Sequence, residues 1–125
     1  MPLTARLRDE ENERINNILK KLIGIDYVPE NGNTFIDAIL NGIGLNLQLL
    51  LEIKSIDLIA HLQKSNFDWE NAEKFADFLI ALSTKLPENK FSLSEKAIAV
   101  YGFVQTESKT FSFEIVNKIN AAKKQ

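Results

Sequence analysis

His61 is the only histidine of this 125-residue chain, and its neighbours at helical spacing could form a catalytic triad with it. Asp57 precedes it by one helical turn and Ser65 follows it by one, which places the three side chains on one face of a helix. A serine nucleophile also needs an oxyanion hole, and no glycine-rich turn beside Ser65 supplies the backbone donors. We therefore predict no catalytic residues, interpret Asp57 and His61 as an exposed pair on a helix surface, and expect His61→Ala to change little.

Carboxylates are the remaining candidates for acid–base or metal chemistry, because the chain contains no cysteine. Glu70, Glu73 and Asp77 share one face of a predicted helix, and Lys74 neutralises part of that stripe. The adjacent glutamates of residues 10–13 fan out around a helix rather than converge. A solvated polar face is the expectation for both groups, with no metal ion bound.

Two glycines, Gly42 and Gly44, have the spacing that begins a dinucleotide-binding loop. That fingerprint requires a third glycine, and Leu47 occupies its position. We interpret the two glycines as a hinge between helices, and we predict no cofactor.

Aromatic residues at predicted helix starts are the first candidates for contact with a partner protein. Phe67 and Trp69 open a long apolar helix, while Phe111 and Phe113 flank the start of the last helix. An aromatic at a helix start usually packs on the core, and we favour this interpretation for Trp69. The alternative is a docking surface, because tryptophan is enriched among binding hot spots and exposed apolar groups mark contact sites.

Within the first 14 residues, the run from Arg8 to Arg14 is almost entirely polar. We expect Glu10 and Arg14 to pair at i, i+4 and the segment to be the solvated start of the first helix. The alternative is a projecting arm that binds a partner through Arg8, Glu11 and Arg14. These three residues complete the candidate partner-binding set.

The segment Trp69–Leu86, which ends before Pro87, organises the positions above. Its apolar residues recur at spacings of three and four, and further apolar residues cover most of the remaining circumference. Helices that are apolar nearly all round lie inside a protein. We therefore predict a buried central helix with Asp68 as its N-cap. The repeating apolar residues are Ala72, Phe75, Ala76, Leu79, Leu82 and Leu86.

Further helices are predicted around this centre. The first runs from about Thr4 to Ile23 and packs from Ile15 onward, where apolar periodicity begins. Short helices are expected after the caps Asn33 and Ser55, the second with Ile56, Ile59 and Leu62 facing inward. A helix that starts at Ser92 or Ser94 presents Ala97, Val100, Tyr101 and Val104, and Ser112 caps the last helix, which carries Ile115 and Ile119.

Two local features need an interpretation. Leu45–Ile53 alternates as a strand would, but an isolated pair of short strands is marginal in water, so a helix is favoured. Gly102 lies inside a helix, where it costs about 1 kcal/mol relative to alanine, and we predict a close helix crossing there as compensation. The predicted fold is all-α. It is one domain over residues 1–125, with five to seven helices in an irregular bundle or in stacked helix hairpins.

Charge and hydropathy exclude several classes of partner. The formal net charge is −2 and both signs are interleaved, whereas nucleic-acid binders carry a basic face. A helix-turn-helix would need a cationic helix, and Leu93–Ser108 carries Glu95 and Glu107 against Lys96. No apolar run spans a bilayer and the first residues lack a signal-peptide core. We expect a soluble cytoplasmic protein that binds neither nucleic acid nor membrane.

Two functions are consistent with these observations. The favoured one is a non-catalytic protein–protein interaction module, an adaptor, assembly factor or inhibitor-type partner that binds another protein or a second copy of itself. The alternative is a small helical enzyme or ligand-binding domain whose inter-helix pocket uses carboxylates, Tyr27, Tyr101 or His61. A deep apolar pocket with convergent polar groups favours the alternative, and a closed, fully packed interior with a flat apolar patch favours the first.

Overall fold

The computed structural model describes residues 2–25, 27, 28, 30, 32–108 and 112–124, and for residues 2–9 it describes the backbone alone. Within this part of the chain the fold is all-α, with seven α-helices, two short 3-10 helices and no strand. The α-helices are α1 (Pro2–Gly24), α2 (Thr34–Leu40), α3 (Leu47–Glu52), α4 (Ser55–Lys64), α5 (Trp69–Lys85), α6 (Lys90–Ser108) and α7 (Phe113–Lys123). The 3-10 helices are Asn41–Ile43 and Pro87–Asn89.

Helix α5 forms the centre of the bundle. Its residues Phe75, Ala76 and Leu79 have no solvent-exposed surface, and the helix packs mainly against α6 and α1. Asp68 is its N-cap, because the Asp68 side chain accepts a hydrogen bond from the backbone N–H of Asn71. The predicted buried central helix and its cap are both confirmed.

Helix α1 packs along α5 over more than its apolar half. Ile15, Leu19 and Leu22 are buried, as the periodicity predicts. One turn earlier, the Oδ1 of Asn12 accepts a hydrogen bond from the Nδ2 of Asn71, which is itself fully buried. The packed part of α1 therefore begins before the apolar residues do.

The segment Leu47–Glu52 is a helix, so the helical interpretation of this leucine-rich stretch is confirmed. Asn46 caps it by accepting a hydrogen bond from the backbone N–H of Leu49 at 2.7 Å. Leu45 is buried in the extended residues before the helix, and Leu47 and Leu50 are buried on its inner face. Leu49, which continues the strand-like alternation, is 41% exposed, so the alternation of leucines does not follow burial.

Helix α4 turns a different face to the core from the predicted one. Leu58 and Leu62 are fully buried, whereas Ile56, expected inside, is 75% exposed. Residues two positions apart on a helix point about 200° away from each other, so a buried stripe through Leu58 leaves Ile56 on the outer side. Ile59 lies at the edge of the stripe and is half-buried.

Two of the predicted side-chain caps are wrong. Asn33 stands at the N-cap position of α2, as predicted, but its Oδ1 accepts a hydrogen bond from the Tyr27 hydroxyl at 2.6 Å and its side chain makes no capping bond. Ser55 is the first residue of α4 rather than its cap, and Lys54 stands at the N-cap without a side-chain bond. In both places a turn residue has another role that local sequence does not reveal.

Helices α5, α6 and α7 form two successive antiparallel hairpins. The 3-10 helix Pro87–Asn89 leads directly into α6, which therefore starts before both predicted caps, Ser92 and Ser94. The predicted inner face of α6 is confirmed, since Ala97, Val100, Tyr101 and Val104 are buried. Ser112 caps α7 as predicted, through the backbone N–H of Ile115. Helices α5 and α7 consequently run in the same direction.

The predicted close crossing at Gly102 is wrong. A Cβ atom built on Gly102 meets no atom within 4 Å. The close approach lies instead at Gly42, where a Cβ would stand 2.8 Å from the Cδ1 of Ile18. Helix α1 and the 3-10 turn therefore meet at Gly42, with no room for a side chain unless Ile18 moves.

Candidate functional site

His61 makes a contact within the fold that joins α4 to the turn after α2. Its Nε2 lies 2.7 Å from the carbonyl oxygen of Ile43, and because a carbonyl only accepts, this nitrogen donates the hydrogen. The ring also lies against Gly44, whose φ of +76° is the left-handed conformation. The predicted exposed Asp57–His61 pair is therefore wrong for His61, which is half-buried on the turn after α2.

Arg14 holds the same turn from the opposite side. Its Nη1 donates a hydrogen bond to the carbonyl oxygen of Gly42 at 2.7 Å, and its Nε and Nη2 form a fork with the carboxylate of Glu11. Hydrogen bonding to Arg14 lowers the pKa of Glu11. Two of the three predicted arm residues, Glu11 and Arg14, thus make contacts within the chain. The side chain of the third, Arg8, lies outside the described residues.

The acidic stripe of α5 is paired with a lysine from α7. The Nζ of Lys118 lies 2.6 Å from Oε2 of Glu73 and 3.2 Å from the carboxylate of Asp77. Asp77 also accepts a hydrogen bond from the hydroxyl of Tyr101, and the ammonium of Lys118 stands 5.9 Å from the centre of that ring. The sequence suggested Lys74 as the neutralising cation, and it gave no signal for Lys118.

Ionisation of this cluster follows from its surroundings. Burial raises the pKa of Tyr101, and the hydrogen bond to Asp77 raises it further. Burial alone would lower the pKa of Lys118, but its bonds to Glu73 and Asp77 outweigh that effect and raise it. Both carboxylates are occupied by donors, and in the described part of the chain no three histidine or acidic side chains converge as metal ligands. The cluster is a clamp that joins three helices.

Lys96 is a second polar feature that sequence reasoning missed. It is only 4% exposed, and its Nζ donates to the hydroxyl of Ser92 at 2.7 Å and to the carbonyl oxygen of Leu51 at 3.2 Å. Burial lowers the pKa of Lys96. These contacts tie α6 to the last turn of α3, where helix carbonyls lack partners.

Two of the candidate aromatic residues lie on the surface. Trp69, for which a core position was favoured, is 51% exposed at the start of α5, and Phe113 is 77% exposed at the start of α7. Because α5 and α7 run in the same direction, both aromatics lie at the same end of these helices. The core interpretation of Trp69 is wrong, since Phe67 occupies the inward position beside it.

Phe67 packs inward. Its ring stands 6.1 Å from that of the fully buried Phe75 in an edge-to-face arrangement, which is a favoured geometry for aromatic pairs. It therefore anchors the start of α5 to the core. Phe111, the fourth aromatic candidate, lies outside the described residues.

Open cavities lie between the second half of α1 and helix α2, a place for which the sequence predicts no candidate residue. Two adjoining cavities of about 690 Å³ each share Gly24, Ile25, Phe35 and Ala38. Phe35 lines both and is 72% exposed. We call this feature the α1–α2 groove. Its apolar and small lining is Ile18, Gly24, Ile25, Phe35, Ala38 and Ile39.

Charge is distributed unevenly along the groove. Lys20 and Lys21 of α1 line one cavity and are exposed. The other cavity extends past Tyr27, whose pKa is raised by burial and by the nearby carboxylates of Asp37 and Glu30. Asp37 is engaged, because it accepts a hydrogen bond from the backbone N–H of Leu47 at 2.8 Å. Among the described residues, Lys20 and Lys21 are thus the charged side chains that line the groove.

Comparison with known proteins gives no relative for this arrangement: no family model matches the chain, and neither does a curated protein or a solved structure. Among the described helices, none combines the length and the apolar character needed to cross a membrane. The function is therefore inferred from the surface and the contacts of this chain.

Proposed function

We propose that this chain is a non-catalytic helical module that binds another protein through the α1–α2 groove. The observation that carries the proposal is Phe35, a large aromatic that is 72% exposed while lining both cavities of the groove. Burying such a side chain contributes roughly 1.5–3 kcal/mol. Aromatic side chains at the centre of an apolar depression are typical binding hot spots.

The engagement of the reactive groups supports a binding role over catalysis. His61, Tyr101 and Lys118 each have a partner within the chain. A general acid or base must instead reach a substrate at hydrogen-bond distance. The groove itself is lined mainly by aliphatic side chains and glycine, which suits a packed contact.

We propose further that residues 1–125 form one domain and that it works in the cytoplasm. A chain without cysteine suits a reducing compartment, where disulfides do not persist. An adaptor, an assembly factor or an inhibitor-type partner is the kind of role that we propose for this module.

The test compares Phe35→Asp with Phe91→Asp. Phe91 is a matched control because it is 76% exposed at the start of α6, away from the groove. Tagged wild type and both variants are used to capture proteins from their own source, and quantitative mass spectrometry compares the three sets. We expect a protein that is retained by wild type and Phe91→Asp and lost with Phe35→Asp. Equal retention by all three variants would overturn the proposal.

A small apolar ligand is the second candidate occupant of the groove. The volume of about 690 Å³ lies within the range of natural ligand pockets, roughly 300–1,000 Å³. Native mass spectrometry of the chain purified from its source distinguishes the two candidates. A bound small molecule that is lost on Ala38→Trp, which fills the groove, would favour the ligand-binding function.

Trp69 and Phe113 provide a second candidate contact surface for the same module. Trp69 is the only tryptophan, so its fluorescence reports directly on that end of α5. If a captured partner covers this surface, its addition shifts the Trp69 emission to shorter wavelength. An unchanged emission at saturating partner would remove this surface from the proposal.

A further inference from the structure

We infer that the α1–α2 groove receives an amphipathic helix of the partner protein, with acidic residues at the edge that faces Lys20 and Lys21. This inference rests on the proposed function and adds the chemistry of the partner. It is carried by the shape of the groove, by the small residues in its lining and by the charge at its edge.

The shape fits a helix. The lining residues on α1 run from Ile18 to Gly24, and Ile25 follows the end of that helix. Those on α2 run from Phe35 to Ile39, and Gly42 lies in the 3-10 helix that follows. The longer run, on α1, covers six residue steps, which is about 9 Å of helix, or nearly two turns. A helix laid between them presents apolar anchors at i, i+3 or i+4, and i+7, the pattern of helix-in-groove recognition.

The small residues leave space for those anchors. Gly24 and Ala38 both line the two cavities and are exposed, and a Cβ built on Gly24 meets no atom within 4 Å. Phe35, between the cavities, supplies the aromatic surface on which the anchors pack. The described residues therefore leave open space beside Gly24 for an apolar anchor.

The charge specifies the partner. Lys20 and Lys21 stand at one edge of the groove, and no ion pair joins either lysine to another residue of the described chain. Within the described part of the chain, no acidic side chain lines the cavity that the lysines border. Acidic residues on the partner complement this edge, whereas basic residues would meet like charge there.

The experiment is a selection from a displayed library of helices of about four turns. Each member carries fixed leucines at i, i+3, i+4 and i+7 and random charges on both flanks, so the selected charge is the measurement. Four variants accompany wild type. Lys20→Glu/Lys21→Glu reverses the groove edge, and Lys123→Glu/Lys124→Glu is its matched control on the end of α7. Ala38→Trp fills the groove, and Ala60→Trp is its control on the exposed side of α4.

We expect helices selected by wild type to carry an excess of acidic residues on one flank. The excess reverses to basic residues with Lys20→Glu/Lys21→Glu and persists with Lys123→Glu/Lys124→Glu. A selected acidic helix binds the Lys20→Glu/Lys21→Glu variant about tenfold more weakly than wild type, as expected for the loss of two favourable charge contacts. Ala38→Trp abolishes selection and Ala60→Trp does not.

Several outcomes overturn the inference, and each can be told apart from a failure of the proposed function. Selection without charge bias that is still lost on Ala38→Trp rejects the acidic partner and retains protein binding in the groove. Selection of no helix rejects the helical occupant, while a protein lost specifically with Phe35→Asp would still support the proposed function. Sedimentation with anionic vesicles that depends on Lys20 and Lys21 would assign the groove to a lipid surface. A dimeric mass in light scattering that Ala38→Trp abolishes would assign it to a second copy.

Discussion

The Nζ of Lys118 lies 2.6 Å from Oε2 of Glu73, which joins α7 to α5 across 45 residues of sequence. Lys118, Glu73 and Asp77 are each about a quarter to a third exposed, so solvent screens this clamp only partly. Without Lys118, two carboxylates one helical turn apart would face each other without a cation. The clamp therefore fixes the position of α7 against α5, and it also contributes to the stability of the fold.

The first prediction concerns the loss of this lysine. Lys118→Met keeps the apolar stem and removes the charge, and we expect the free energy of unfolding to fall by about 1–2 kcal/mol, allowing for partial exposure. Urea denaturation followed by circular dichroism measures the change. Lys124→Met, on an exposed residue at the end of α7, is the control and should differ little from wild type. An unchanged midpoint for Lys118→Met would show that the clamp contributes nothing.

The second prediction concerns stability at alkaline pH. Burial and the bond to Asp77 hold the pKa of Tyr101 above the ordinary tyrosine value of about 10. Above that pH the unfolded chain loses the phenolic proton while the folded chain keeps it, so the unfolded state binds fewer protons. Stability therefore falls as pH rises beyond about 10. The raised pKa of Tyr27 and that of Lys118 act in the same direction, and the lowered pKa of Lys96 acts in the opposite one.

Tyr101→Phe isolates the tyrosine contribution, since phenylalanine cannot ionise. Its loss of the hydrogen bond to Asp77 lowers stability at neutral pH, but its stability should decline less steeply than that of wild type between about pH 9 and pH 11. Parallel urea titrations across this range give the slopes, and Tyr27→Phe is the companion variant. Phenolate absorbance from both tyrosines at about pH 10, with the helix signal intact, would contradict the prediction.

The third prediction uses two glycines with opposite surroundings. Gly102→Ala adds a methyl group where no atom lies within 4 Å, so the higher helix propensity of alanine should stabilise the protein by about 1 kcal/mol. Gly42→Ala places the new Cβ against Ile18 at the α1 contact and should destabilise it. Thermal unfolding of both variants checks the signs. Stabilisation by Gly42→Ala would mean that Ile18 moves away at no cost.

The fourth prediction concerns His61. The sequence predicts that His61→Ala changes little. In the structure, however, the His61 ring donates a hydrogen bond to the part-buried carbonyl oxygen of Ile43. Loss of that bond should lower the free energy of unfolding by about 1 kcal/mol. Gln63→Ala, on an exposed position of the same helix, is the control. Chemical denaturation of both variants gives the comparison. Equal stability of His61→Ala and wild type would restore the exposed-histidine interpretation.

Periodicity predicted the helices well where the burial pattern is long and continuous. Apolar spacings of three and four predicted the central helix over Trp69–Leu86 and the inner face of α6. Such spacings place the apolar side chains on one face of a helix, and that face is buried against the core. A short helix gives a weaker signal. In α4 only Leu58 and Leu62 define the buried stripe, so Ile56 was placed on the wrong side.

Contacts between distant parts of the chain were not predictable in the same way. Lys118 with Glu73, and Lys96 with Leu51, join residues from different helices, and no local pattern specifies which helices will be neighbours. The α1–α2 groove was missed for the same reason. Phe35 has the spacing of a core residue, and only the packing of α2 against α1 shows that it remains uncovered.

The turn after α2 has a consequence for the kinetics of association. Arg14 from α1 and His61 from α4 hydrogen-bond to the carbonyls of Gly42 and Ile43, so two neighbouring helices hold the wall of the groove at Gly42 in place. A preorganised wall loses little conformational entropy on complex formation. Encounter should then proceed as rigid-body docking, with an on-rate governed by diffusion and charge, and differences in affinity among partners should be expressed mainly in their residence times.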